Sequence, residues 1–125
     1  MFQRLVLVAA AAIPTACATG PNARELAAQC NAKYREASAP GVTPAKPASA
    51  LRPSVGALRE YPGSYACVAV FVNERGQVTD AKLLETNTPQ MGEYFLKLTS
   101  ETKYMAGSLN GNPIATRAVI SLGID

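Results

Sequence analysis

Histidine and tryptophan are both missing from this 125-residue chain, and aromatic residues make up only 6% of it. Without histidine the chain lacks the usual general base at neutral pH and the commonest metal ligand. Three cysteines, far apart in sequence, do not make a thiolate metal site. No Ser or Cys stands in a nucleophile motif, no Gly-rich loop is placed to cradle phosphate, and no carboxylate pair sits in an apolar surround. These absences predict a protein that is not an enzyme, with no catalytic residue, no metal and no cofactor. Asp80 and Glu85 read as solvent-facing decoration of a strand. Tyr94 and Tyr104 read as core or as the wall of a groove. Charge is sparse as well: charged residues are 17% and the net charge is +3, too thin a surplus for a nucleic-acid partner. The longest apolar run, residues 5–13, is too short to cross a bilayer, which takes about 20 residues.

That run has a meaning of its own. Arg4 precedes it, Pro14 ends it and small residues follow, the layout of a bacterial export signal over residues 1–18. Two processing routes compete. Ala16-Cys17-Ala18 fits ordinary cleavage after Ala18, whereas Thr15-Ala16-Cys17 fits the end of a lipobox that leaves Cys17 as a lipidated first residue. Both routes place the mature chain in the periplasm, the second as a membrane-tethered lipoprotein. Both also leave Cys30 and Cys67. In an oxidising compartment that even remainder fits one disulfide, and two buried free thiols are the other reading.

Residues 22–37 carry Leu26, Cys30 and Tyr34 at intervals of four, with Ala23 and Ala27 beside them, which predicts a helix with a narrow apolar face. Asn22 and Glu25 have the spacing of a capping box. Residues 38–54 hold four prolines and predict an extended, poorly packed linker, so residues 19–50 read as an N-terminal helix plus linker. Residues 55–65 read as one or two helical turns stopped by Pro62-Gly63. Residues 65–72 are apolar almost throughout, predicting a strand covered on one or both faces. Gly76 suits the left-handed position ending a hairpin loop. In the return strand, residues 77–86, Val78, Ala81 and Leu83 break period two, and a bulge near Thr79-Asp80 would bring all three to one face. Asn87-Thr88-Pro89 then offers an N-cap followed by proline in the first turn of a helix whose Met91, Tyr94, Phe95 and Leu98 form an apolar stripe. Asn110-Gly111 and Asn112-Pro113 mark a turn region, and residues 114–124 form a last strand with Ala118, Ile120, Leu122 and Ile124 on its core face.

The order strand, turn, strand, helix, Asn-Gly turn, strand over residues 51–125 resembles the TonB C-terminal domain. "VAVFV", the Gly-x-Val of "RGQV", the acidic-apolar "TDAKLLE" and the closing "NGNPIATRAVISLGI" carry the resemblance. It implies an α+β fold, a small three-stranded antiparallel sheet with helices packed on one face. It further implies a protein-binding role linked to TonB-dependent transport, in which a protein or peptide partner adds a strand to an exposed sheet edge. The edge expected to do this is the last strand, at Thr116, Arg117, Ala118, Val119, Ile120, Ser121 and Leu122. An edge-paired homodimer is a further outcome the fold allows. The chain departs from the family's energy transducers in having neither an uncleaved membrane helix nor a long Pro-rich spacer. The aromatic of the Tyr-Pro ahead of the domain is missing at Arg52-Pro53, and Tyr104-Met105-Ala106 replaces a Phe-x-Pro pattern. These departures point to the alternative of a structural or accessory envelope lipoprotein without energy coupling.

Overall fold

A computed structural model describes residues 20–36 and 39–125. In chain order the elements are α1 (Ala23–Tyr34), β1 (Val42–Thr43), β2 (Lys46–Pro47), α2 (Val55–Glu60), β3 (Ser64–Val72), β4 (Val78–Thr86), α3 (Pro89–Glu101), β5 (Tyr104–Met105), β6 (Gly107–Leu109), β7 (Asn112–Ile114) and β8 (Thr116–Ile124). The main sheet is antiparallel with strand order β4-β3-β8. The fold is therefore α+β, built on small antiparallel sheets.

β3 is the central strand, and its composition suits that place. Ala66, Val68, Val70 and Val72 face one side and are at most 1% exposed, while Tyr65, Cys67 and Ala69 face the other and are also buried. On the first side α3 supplies Met91 and Phe95, both fully buried, and Leu96 and Leu98 pack at the margin. α3 comes close to β4 because Gly92 has no side chain: a Cβ there would lie 2.9 Å from side-chain atoms of both Leu83 and Thr86. On the second side α1 supplies Ala27 and Cys30 against Tyr65 and Cys67. The N-terminal helix expected ahead of the sheet, α1, lies on the face opposite α3. Both β3 faces are apolar, and neither could be left in water.

The hairpin follows its sequence closely. Asn73 accepts from the backbone N–H groups of Arg75 and Gln77 through its side chain, at 2.9 Å each. Gly76 takes φ +80° and leaves room for the Tyr104 carbonyl where a Cβ would stand. β4 carries the expected bulge at Thr79, since Phe71 pairs with Asp80 and Val72 with Val78. Val78, Ala81 and Leu83 all join the α3-side core in consequence. A second irregularity skips Leu84 between the pairs Cys67–Glu85 and Val68–Leu83. It turns Leu84 toward the α1-side cluster.

Two expectations need revision at the helix starts and the linker. Asn22 and Glu25 do form a reciprocal capping box, both bonds 2.9 Å. Asn87, however, does not cap α3; its side chain accepts from Tyr65 N and donates to the Gly63 carbonyl, tying the start of β3 to the end of β4. Pro89 opens α3, and Thr88, its N-cap residue, makes no side-chain cap. The Pro-rich segment is extended, as its composition requires, but it is packed: β1 pairs with β6, β2 pairs with β5, and Ala45 is 5% exposed within the main core. β6 and β7 join through Asn110 and Gly111, both at positive φ, as an Asn-Gly hairpin requires.

Cys30 and Cys67 are joined in a disulfide, which ties α1 to the centre of the sheet across a separation of 37 residues. A loop of that size constrains the unfolded chain by about 4 kcal/mol. Cys30→Ala/Cys67→Ala is expected to lose stability of that order in denaturant unfolding at unchanged buffer, and a loss under about 1 kcal/mol would contradict this role.

Candidate functional site

Which backbone groups of β8 face outward is fixed by its partner strand. Tyr65 has its N–H on Asn87 and its carbonyl on the Thr86 hydroxyl, so the odd residues of β3 bond toward β4. The even residues then bond toward β8, where Ala66, Val68, Val70 and Val72 stand opposite Leu122, Ile120, Ala118 and Thr116. Arg117, Val119, Ser121 and Gly123 therefore direct their N–H and C=O groups away from the sheet.

These outward groups are not equally open. The Asn31 side-chain amide donates to the Val119 carbonyl at 2.9 Å and reaches the Ser121 hydroxyl at 3.4 Å. Gly123 lies under the first turn of α1, and a Cβ there would collide with the Ala23 carbonyl. α1 thus blunts the C-terminal half of the edge, a familiar protection against unwanted strand pairing. The N-terminal half, Thr116 to Val119, borders a groove of about 360 Å³ whose opposite wall is Ala39, Val42, Pro44 and Ala45. A second cavity, of about 340 Å³, adjoins it at Ala115, Thr116 and Arg117 and includes Phe71, which is 37% exposed. Arg117 donates to the Tyr34 carbonyl and to Glu36, each at 3.1 Å, and the Thr116 hydroxyl accepts from Ala45 N.

A polar cluster holds the other side of α1. Glu85 accepts from Tyr65 at 2.6 Å, and from Lys33 and Tyr34 at 3.2 Å each. Glu85 is therefore half-buried and bonded, not the free decoration its strand position predicts; Asp80 is exposed as expected. The bond from Tyr65, then that from Lys33, hold the Glu85 carboxyl below its ordinary pKa. The same bonds raise Tyr65 and Lys33 above theirs. Tyr104 is buried against the Thr99 carbonyl, and burial pushes its hydroxyl up to about 12. Tyr94 is half-buried and accepts from Ser54 N, so neither tyrosine lines the groove.

The sequence-predicted residues sort as follows. Thr116 through Leu122 all fall in β8, at the sheet edge. Cys30 and Cys67 meet in the disulfide. Cys17 lies outside the described residues. Sequence reasoning missed Asn31, Glu36 and the Glu85 cluster, whose partners are 20 to 90 residues away. The proximity of Asn31 to Cys30 was the one usable signal. Among the described residues no group of three or more His, Cys, Asp and Glu could hold a metal ion, and no helix is long and apolar enough to cross a membrane. Comparison with known proteins finds no matching family model, no matching curated protein and no matching solved structure.

The Glu85 cluster has a pH signature. A carboxyl with a lowered folded pKa stabilises the protein above its unfolded pKa, near 4.3, and this contribution fades as pH falls through the folded value. Glu85→Gln should therefore destabilise the protein at neutral pH and converge with the wild type in strong acid. Denaturant unfolding across that range checks it, and a pH-independent gap would contradict it.

Proposed function

We propose that this chain is a non-catalytic binding module of the bacterial cell envelope, which captures an extended segment of a protein partner by strand addition to β8. The observation that carries this reading is the outward N–H and C=O of Arg117 and the outward N–H of Val119 on an edge strand, beside a groove of about 360 Å³. Main-chain bonds along such an edge supply affinity without reactive side chains. The strand order β4-β3-β8 and the Asn-Gly turn are the features that favour a TonB C-terminal-like domain, and with it a role in TonB-dependent transport. In this reading the protein works in the periplasm, tethered to the membrane where Cys17 carries lipid.

One observation favours the second reading, an accessory envelope protein without energy coupling. α1 is locked over the sheet by the disulfide, and Asn31 occupies the Val119 carbonyl, which shortens the strand that a partner could meet.

Proline separates the outward edge from the ladder. Val119→Pro removes an outward N–H and spares the β3–β8 bonds, whereas Ile120→Pro removes an inward one. A photo-crosslinking residue at Ala115, which lines both cavities, should give a discrete adduct in the native envelope. That adduct should vanish with Val119→Pro while the far-UV circular dichroism stays native, and Ile120→Pro should unfold. An adduct undiminished by Val119→Pro would overturn strand addition.

A further inference from the structure

Two cavities meet at Arg117, and the larger, of about 360 Å³, lies within the range of roughly 300–1,000 Å³ usual for small-molecule sites. At ~30 Å³ per water it has room for about a dozen non-hydrogen atoms. Two guanidinium groups, Arg35 and Arg117, stand against one carboxylate, Glu36, among its lining residues, so one positive charge has no counterpart there. Apart from Thr116, the other lining residues are small or aliphatic, among them Val42, Pro44, Ala45, Ile114 and Ala115, and none is aromatic. The groove is a basic pole set on an aliphatic wall.

The Arg117 guanidinium is placed to use that charge. Its side chain is 24% exposed, and its bonds to the Tyr34 carbonyl and the Glu36 carboxylate, each 3.1 Å, both leave from Nη1. Among the described residues Nε and Nη2 have no partner. Those two nitrogens form the edge of a guanidinium that grips a carboxylate through two parallel bonds. Because Nη1 keeps both of its bonds, an incoming carboxylate joins Glu36 at Arg117 without replacing it. Arg35, exposed just past the end of α1, adds a second positive charge to the rim.

We propose that this groove is a binding site for a small aliphatic monocarboxylate, its carboxylate on Nε and Nη2 of Arg117 and its tail along Val42, Pro44 and Ile114. A dianion exceeds the one unmatched charge, a cation meets two guanidinium groups, and an aromatic ligand finds no ring in this groove to stack on. The site uses the Arg117 side chain and the apolar wall, not the outward backbone groups of β8, so it stands or falls apart from strand addition.

The test titrates isotope-labelled protein with octanoate, octanamide and octylammonium, below the concentrations at which they form micelles, and with acetate. The Arg117 Nε–H reports the head of the ligand, and the methyl groups of Val42 and Ile114 report its tail. Octanoate should shift all three saturably and bind about three- to tenfold more tightly than octanamide, the range of one partly exposed charge pair, with octylammonium weakest. Acetate, with no tail to bury, should bind about tenfold or more weakly than octanoate. Arg117→Gln should bring octanoate to the affinity of octanamide and leave octanamide binding unchanged, a selective effect that loss of folding would not produce. Ala115→Leu, which narrows the groove and spares Arg117, should weaken both. Octanoate binding no tighter than octanamide would overturn the carboxylate site, and so would methyl shifts that never saturate or fail to appear.

Discussion

Burial of β3 on both faces is the constraint from which the rest of the structure follows. With Ala66, Val68, Val70 and Val72 on one side and Tyr65, Cys67 and Ala69 on the other, the strand needs apolar cover twice. α3 provides it on one side through Met91 and Phe95, the largest fully buried side chains. α1 provides it on the other with much less apolar surface, chiefly Ala27 and Cys30. So small a contact would hold a short helix weakly. The disulfide at Cys30, the Asn31 amide and the bonds from Lys33 and Tyr34 to Glu85 make up the difference, each from a different residue of α1.

The same arrangement decides which part of the β8 edge is accessible. A helix laid over β8 covers the edge where its side chains reach and leaves it open where it stops. α1 ends at Tyr34, level with Val119 and Arg117, and the open edge begins there. The packed Pro-rich segment supplies the facing wall, so the groove owes its depth to β1 and β2 pairing with β6 and β5. Structural necessity on one face and accessibility at one edge are two results of a single helix placement.

How much of this was legible in the sequence depends on how local each cause is. The Gly76 turn, the Thr79 bulge, the Asn22 capping box and the α3 stripe rest on residues close in sequence, and period and turn chemistry exposed them. The face chosen by α1 was not legible, because a narrow apolar stripe fits either side of a sheet. The packing of the prolines was hidden for a similar reason: an extended backbone reads alike in a linker and in a short strand. Glu85 reads as a solvent-facing carboxylate in the sequence because its partners Tyr65, Tyr34 and Lys33 come from two other elements. β8 is an outer strand of its sheet, and its division into a capped and an open half depends on Asn31, which sequence periodicity could not aim.

Amide hydrogen exchange along β8 tests the central claim most directly, since alternate residues should report opposite environments. The N–H groups of Ala118 and Ile120, bonded to β3, should exchange slowly, and those of Arg117 and Val119 should exchange fast in the unliganded protein. Uniform slow exchange across all four would show the edge to be covered and would contradict the account.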